Sequence, residues 1–458
     1  MRYYFKSTFN FLLGYFFLLF LFVGCKNIDS AKLRTDNNKV FQKKLEKQTR
    51  SYLGANNKLS LERCIDIALE NNLTLKTAVI SEKLAKLDRK AAFSHFLPNL
   101  QLQASSSATD RPFIMKSGGG DVQFSDQYLK KISLNIQQPI FMPQAWYIYA
   151  MRQKGEDLSR LLRERTEQMI RLQVISSYNY ILSLKEMDYS YIEELKESKE
   201  ILREVSALQK KGLALSSEVL KVEVLLLSRE NNIKKNKRLQ KLAKADLLRI
   251  MGLSPILSIS LDSNQGKVLE FPTQEELIAS ALLNRKELFV QDLNIEIAKD
   301  QVKTAISSFL PNIGLIGGFS YNSDSYIKYA DVWSYGVSGI MTVFNGFKNV
   351  NQYKSAKMRR KEAFLTQEDA CMMIILEVYR AYQQLEEINE NLLLAEKQLK
   401  AVEMEFSELK KQREKGIILF SAFCKISSKV AKASSLKTSL KYRQQIFSAV
   451  LLNVIGQK

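Results

Sequence analysis

The feature that most restricts the fold of this chain is an internal repeat. The tetrapeptide FLPN at residues 96–99 recurs at 309–312, and Gly212 recurs as Gly416, 204 residues later. Agreement at nearly fixed offsets over most of a chain indicates that a whole structural unit has been duplicated. The sequence therefore predicts two copies of one fold, each about 200 residues long.

The repeat also defines the predicted domain organisation. The first structural repeat covers residues 59–252 and the second covers 273–458, with an equatorial linker at 253–272. In each repeat the sequence pattern predicts a helix, two strands, a long helix and a return helix, in that order. The two repeats are therefore expected to share one architecture.

Long helices dominate the predicted secondary structure. The 458 residues contain only seven prolines and eighteen glycines, and no proline interrupts residues 144–211 or 346–415. At a rise of 1.5 Å per residue each of these helices is roughly 100 Å long, which is more than a globular core can cover. Return helices are expected to begin at the N-caps Ser217 and Ser421. A shorter helix before each FLPN motif then makes the return path nearly as long as the long helix.

Local signals support these helices. Ser60 is the expected N-cap of the first helix, and Thr273 with Glu276 forms a capping box at the start of the second repeat. The second long helix carries a coiled-coil seam with alternating steps of three and four residues. Its members are Leu385, Ile388, Leu392, Ala395, Leu399, Val402, Phe406 and Leu409.

After each FLPN motif the apolar period changes from helical to two, which predicts four strands of about ten residues. Their faces contain Leu100, Leu102 and Ala104; Ile132, Leu134 and Ile136; Ile313, Leu315 and Gly317; and Trp333, Tyr335, Val337 and Gly339. The polar segments 109–127 and 322–331 are expected to be exposed loops. Four strands in two isolated hairpins do not close a barrel. Either the hairpins pack on the helices of their own chain, or several chains pool their strands.

The N-terminus has the pattern of an export signal. Basic residues precede an apolar run at 9–23, so we assign residues 1–24 to a signal peptide. The run ends in FVGC, which resembles a bacterial lipobox and predicts lipidation of Cys25. Residues 25–58 are polar, rich in lysine and without period, and are expected to be a lipidated tether without regular structure. An ordinary transmembrane anchor is the alternative, although the run is short for spanning a bilayer.

Composition and charge argue against several classes of function. The formal net charge is +20, but lysine and glutamate interleave along the chain without a basic stripe, so no nucleic-acid partner is expected. One histidine and four scattered cysteines do not predict a metal site. No catalytic triad or phosphate-binding loop is found, and the glycines at 118–120 lie in a predicted loop. We therefore predict a protein that is not an enzyme and has no cofactor.

The doubled order of landmarks resembles that of the TolC-like outer-membrane efflux family. The landmarks are the FLPN motifs, QPIF at 138–141, the glycine before each helix tip, and MGL at 251–253. The resemblance extends from about residue 59 to the C-terminus. It implies a long antiparallel α-helical barrel in the periplasm of a Gram-negative bacterium. It also implies a homotrimer whose chains each give four strands to a 12-stranded transmembrane β-barrel in the outer membrane.

The same resemblance implies a function. Members of the family are exit ducts that conduct substrates passively from an inner-membrane transporter and a periplasmic adaptor to the exterior, in efflux or type I secretion systems. A periplasmic coiled-coil adaptor and a structural lipoprotein without a pore remain the alternatives. An adaptor has one central helical hairpin between halves of a β-domain, whereas here each strand pair precedes its own pair of helices.

The resemblance also places the adaptor-docking surface at the two helix tips. In the family each tip carries a glycine followed by an apolar residue. The matching positions are Gly212 with Leu213, and Gly416 with Ile417. A second interpretation is that each glycine is only a helix C-cap in the left-handed conformation. The two interpretations are compatible, because such a cap exposes the next apolar side chain.

A constriction is expected just after the second tip. Related ducts often carry Asp or Glu in their narrowest ring, whereas this chain has Phe420, Phe423 and Lys425. Threefold repetition of these residues would form an apolar or basic ring that closes by dewetting or disfavours cations. The alternative is that the two phenylalanines pack between helices and Lys425 faces solvent.

Overall fold

The computed structural model describes residues 29–52, 58–263 and 269–457. Its helices are α1 (Ser30–Tyr52), α2 (Leu61–Asn71), α3 (Leu73–Phe93), α4 (Pro143–Lys210), α5 (Ser216–Ile250), α6 (Gln274–Asn284), α7 (Lys286–Ser307), α8 (Lys348–Glu414) and α9 (Phe420–Val454). Its strands are β1 (Lys58–Leu59), β2 (Asn99–Ala108), β3 (Phe113–Ser117), β4 (Gly120–Ser125), β5 (Tyr128–Phe141), β6 (Ser260–Leu261), β7 (Asn312–Asn322) and β8 (Asp331–Ile340). The predicted signal peptide and Cys25 lie outside the described residues.

The two repeats have the same order of elements, as predicted. The series α2, α3, β2, β5, α4 and α5 in the first repeat corresponds to α6, α7, β7, β8, α8 and α9 in the second. The long helices α4 and α8 contain 68 and 67 residues, and the return helices α5 and α9 contain 35 each. The long helices are therefore about 100 Å in length and the return helices about 53 Å. In α8, the seam residues Leu385, Ile388 and Ala395 are buried.

The predicted N-caps are confirmed for the short helices and wrong for the return helices. Ser60 accepts a hydrogen bond from the Arg63 backbone N–H, and Thr273 forms the expected capping box with Glu276. The return helices instead have Leu215 and Leu419 at the N-cap. Carboxylates replace the missing hydroxyl caps, since acceptors from elsewhere can also satisfy the first N–H groups of a helix.

Those carboxylates come from different elements. At the start of α5, the Glu218 carboxylate accepts a hydrogen bond of 2.9 Å from the Leu215 N–H. At the start of α9, the Glu204 carboxylate of α4 accepts one of 3.0 Å from the Ser421 N–H. The expected caps Ser217 and Ser421 are therefore each the second residue of their helix.

The helices form a single layer. The long helices α4 and α8 run through both halves of its height, and the shorter helices lie beside them in one half or the other. Around the tips the lateral order is α5, α4, α9, α8, and towards the sheet it is α3, α4, α7, α8. The layer is open on both sides. We call the side formed by α3, α5 and β2 the first edge, and the side formed by α8 and β8 the second edge.

The four long strands form one antiparallel sheet with the order β2, β5, β7, β8. The two strand pairs are therefore joined into one sheet, because β5 pairs with β7 along most of its length. In this pairing Leu134 of the first repeat faces Phe319 of the second. The outer strands β2 and β8 each have one side without a partner in the described part of the chain.

Two segments that were expected to be irregular have regular structure. The tether region contains α1, whose residues are mostly strong helix formers without Pro or Gly, and nearly all of its side chains are exposed. The predicted loop 109–127 contains the hairpin of β3 and β4, which turns at Gly118 and Gly119; Gly120, the first residue of β4, has a φ of 126°. Both structures arise from local propensity, which outweighs the polar composition on which the loop assignments relied.

A waist at mid-height joins the shorter elements to the long helices. The strands β1 and β6 form a short parallel pair there. The buried Tyr178 of α4 donates its hydroxyl to the carbonyl oxygens of Leu59 and Asp262, at 3.1 and 2.7 Å. These hydrogen bonds fix α4 to β1 and to the residue that follows β6.

Candidate functional site at the helix tips

The first helix tip ends α4 with a Schellman motif. The Leu213 N–H donates to the Leu208 carbonyl and the Gly212 N–H to the Gln209 carbonyl, both at 2.9 Å. Gly212 has a φ of 73°, a left-handed conformation that residues with a Cβ adopt only at a cost. The glycine is therefore a helix C-cap, and it turns the following leucine out of the helix.

The second tip repeats this geometry. The Ile417 N–H donates to the Gln412 carbonyl and the Gly416 N–H to the Arg413 carbonyl, both at 3.0 Å, and Gly416 has a φ of 72°. The Glu204 to Ser421 hydrogen bond joins α4 to the start of α9. The structure therefore brings both predicted docking tips to the same end of the molecule.

Each tip exposes apolar side chains. Leu213 is 71% exposed and Ile417 is 66% exposed, and the N-cap leucines Leu215 and Leu419 are comparably exposed. The sequence analysis missed Leu215 and Leu419, although the repeated spacing of Gly, apolar, any residue, Leu would have revealed them. Two pairs of exposed apolar residues at one end form a surface suited to binding another protein.

The predicted constriction residues lie at the start of α9 and do not act alike. The Phe423 ring is half-buried and packs on Phe406 of α8, with ring centroids 5.4 Å apart. Lys425 is exposed. Phe420 is the first residue of α9, and its side chain lies outside the described part of the structure. In the isolated chain Phe423 therefore packs between helices, as the alternative interpretation proposed.

The opposite end of the molecule is the four-stranded sheet. Its strands contain between 10 and 14 residues, long enough for a tilted strand to cross a bilayer. Trp333 and Tyr335 of β8 are strongly exposed. The loop ends are held together by Asp324, which accepts hydrogen bonds from the Ser125 hydroxyl at 2.7 Å and the Asp126 N–H at 3.2 Å. The sheet is thus an ordered unit with apolar residues at its surface.

An ionic cluster at the waist connects the two repeats. Arg285, at the N-cap of α7, is buried and pairs with Glu287 and with Glu377 of α8. Glu287 also pairs with Arg165 of α4, at 2.5 Å. Burial alone raises the pKa of the Glu287 carboxyl, but the hydrogen bond from Arg285 and the charges of Arg285 and Arg165 outweigh it. The net effect is a lowered pKa.

The described residues contain neither a metal-binding cluster nor a membrane-spanning helix. No group of three or more His, Cys, Asp or Glu in those residues is arranged to hold a metal ion. Within the same ranges, no helix combines the length and apolar character needed to cross a bilayer.

The chain matches the family described as outer membrane efflux protein over residues 64–253 and again over 277–457. It therefore belongs to the outer membrane efflux protein family, a family of channels rather than enzymes, and the predicted resemblance is confirmed. The two matched ranges correspond to the two repeats. No curated protein matches the chain in sequence.

Solved structures share the fold. The chain is similar to the Campylobacter jejuni CmeC outer membrane channel, with 18% identity over 86% of this chain and 85% of that one, and a TM-score of 0.74. It is also similar to the outer membrane protein VceC from Vibrio cholerae, with 16% identity, coverage of 87% and 96%, and a TM-score of 0.71. The Neisseria gonorrhoeae MtrE outer membrane channel, in its open state, gives 17% identity, 87% and 89% coverage and a TM-score of 0.66.

Proposed function

We propose that this protein is the passive exit duct of a tripartite efflux or secretion system. Three copies close a 12-stranded barrel in the outer membrane and a helical barrel below it in the periplasm. An inner-membrane transporter and a periplasmic adaptor deliver the substrate to the helix tips. Because the duct has no energy source of its own, the transporter determines which substrates pass.

The open edges of the sheet carry this proposal. The four strands alternate in direction, so β8 of one copy is antiparallel to β2 of the next when copies are placed side by side. Strand edges that lack a partner are not tolerated in lipid, because unpaired backbone groups there cost several kcal/mol each. Three copies of four strands remove every free edge and give a barrel of ordinary size.

Adaptor docking is assigned to the two tips. Gly212 and Gly416 end the long helices so that Leu213 and Ile417 are left exposed. An adaptor hairpin that covers these side chains removes apolar surface from water, which favours binding. The repeat then gives a trimer six tip sites of two related kinds.

Two further assignments concern the ends of the pathway. Lys425 is exposed just after the second tip, and three copies around an axis would form a basic ring that disfavours cations. At the other end, Cys25 would carry the lipid that anchors the N-terminus to the outer membrane.

The alternatives explain less of the structure. A periplasmic adaptor or a structural lipoprotein has no use for four strands of bilayer-spanning length with two unpaired edges. Light scattering of the detergent-purified protein and planar-bilayer recording test the proposal together. A trimer that forms stable conducting pores is expected. A stable monomer, or a trimer without conductance, would contradict the proposal.

A further inference from the structure

Between the waist and the tips, the contact between the two repeats within one chain is made by α4 and α9. In this part of the molecule three hydrogen bonds join the two helices: Glu204 with the Ser421 N–H at 3.0 Å, Glu193 with the Ser427 hydroxyl at 3.3 Å, and the Glu186 carbonyl with the Ser435 hydroxyl at 2.8 Å. All six residues are partly or fully buried. They therefore mark the side of each helix that faces the other repeat.

The repeat places equivalent residues on the open edges of the molecule. Helix α8 repeats α4 at an offset of 204 residues, and α9 repeats α5 at the same offset. The three equivalent pairs are Glu408 with Ser217, Lys397 with Glu223, and Glu390 with Asn231. All six of these residues are exposed. The helix faces that are buried between α4 and α9 are therefore exposed on the equivalent helices α8 and α5.

Apolar residues show the same contrast more sharply. On α9, the residues that face α4 are Cys424, Ser428 and Ala431, which are 3%, 5% and 0% exposed. Their equivalents on α5 are Leu220, Val224 and Leu227, which are 60%, 60% and 63% exposed. The spacing of four and then three residues puts these three side chains on one face of the helix. Helix α5 thus carries larger apolar side chains where α9 carries small buried ones, and no described element of the chain packs on them.

Towards the sheet the open edges carry matching apolar lines. On α8 the exposed residues Met358, Leu365, Met372 and Tyr379 follow each other at intervals of seven. On α3 the exposed residues are Leu73, Ile80, Leu84 and Leu87. Spacings of three, four and seven form a straight seam along a helix. The first edge therefore has an exposed apolar seam along both halves of its height, and the second edge has one in the half towards the sheet.

We propose that α8 of one copy packs on α5 of the next copy in the register that α4 and α9 adopt within a chain. In this arrangement the Glu408 carboxylate caps the neighbouring α5 at the Ser217 N–H, as Glu204 caps α9. Lys397 forms an ion pair with Glu223 of the neighbouring copy. The proposal rests on the trimer of the proposed function and adds to it the residues that fix the interface.

The sheet allows the same argument. Leu134 of β5 and Val337 of β8 are equivalent residues of the two repeats. Leu134 pairs with Leu102 of β2, and Val337 pairs with Leu315 of β7, which is the repeat of Leu102. The pairing of Leu134 with Phe319 within the chain then predicts that Val337 faces Ser106 of the next copy. This register keeps the apolar faces of β8 and β2 on one side of the barrel. A slip of one residue would place them on opposite sides.

A charge-exchange cycle tests the helix interface. Lys397→Glu places two carboxylates opposite each other at all three interfaces, so the monomer fraction at a fixed urea concentration should rise roughly tenfold. Glu223→Lys should have a similar effect, and the double variant should return to wild-type behaviour. Lys429→Glu is the matched control, because Lys429 pairs with Glu405 inside the same chain, at 3.4 Å. That variant should leave the trimer unchanged.

A crosslink provides a second measurement that does not depend on stability. The variant with Glu223→Cys and Lys397→Cys, treated with a short bis-maleimide, should give covalent trimers, whereas each single variant should not. A wild-type monomer would overturn both this inference and the proposed function. A wild-type trimer with no double-variant crosslink and no rescue in the charge cycle would overturn only the proposed register.

Discussion

Gly252 lies so close to Asn71 that a Cβ on the glycine would stand 2.6 Å from the Asn71 carbonyl oxygen. Its φ of 69° is left-handed, as is the φ of 73° at Gly212. A Cβ on Gly212, however, would meet no atom within 4 Å. The two glycines therefore have the same conformation and differ only in what surrounds them.

Alanine substitution should separate the cost of the left-handed conformation from the cost of close packing against Asn71. Gly212→Ala is expected to cost about 1–2 kcal/mol of unfolding free energy through the left-handed conformation alone. Gly252→Ala should cost about 1–3 kcal/mol more, because α2 must also move away from the added Cβ. Urea unfolding followed by circular dichroism measures both. Equal losses of unfolding free energy in the two variants would show that close packing at the waist adds nothing to the cost of Gly252→Ala.

The exposed tip side chains should matter for docking and not for folding. Leu213→Asp combined with Ile417→Asp is expected to reduce capture of the partner adaptor by at least tenfold, because charge replaces the apolar contact. The unfolding midpoint should stay unchanged, since both residues are exposed. Leu283→Asp is the matched control, because Leu283 of α6 is equally exposed away from the tips. Undiminished capture by the double variant would exclude the tips as the docking surface.

Lys425 should influence ion selectivity. Planar-bilayer recording under a salt gradient is expected to show weak anion preference or no preference in the wild type. Lys425→Glu should shift the reversal potential towards cation selectivity, because three carboxylates then replace three ammonium groups in the ring. A clear cation preference that Lys425→Glu does not change would remove the basic ring from the proposal.

The ionic cluster at the waist should make stability depend on pH. The pKa of Glu287 is lowered from its usual value of 4.5, so its contribution is complete above that value and is lost as the pH falls through the lowered one. Glu287→Gln should cost about 2 kcal/mol at pH 7, since it leaves the buried Arg285 with one carboxylate fewer. Thermal unfolding at pH 7 and pH 3 should show that the difference between wild type and variant shrinks on acidification. A constant difference would contradict this account.

Much of the fold was accessible from sequence because the determining patterns are local. The doubled FLPN motif, the alternation after it and the scarcity of proline predicted the repeat, the strands and the long helices. The caps at Ser60 and Thr273 were also predicted correctly. Helix α1 and the β3–β4 hairpin were missed because polar composition was given more weight than helix and strand propensity.

The candidate site was only partly predictable. The tip glycines and the residues that follow them were identified by their position in the repeat. The docking and lipidation assignments, with the tips and Cys25, remain predictions. That Phe423 packs on Phe406, and that Glu204 caps the start of α9, depends on which helices are neighbours. A single sequence does not state this order.

The length, type and repetition of the main elements followed from the amino-acid sequence, because hydrophobic period and breaker positions act within a few turns of chain. The lateral order of the helices, the pairing of β5 with β7 and the two open edges became known from the three-dimensional fold. These features are not encoded locally, because α5 and α9, or β2 and β7, share the same period. Long-range packing alone decides which copy is covered within the chain and which is left bare.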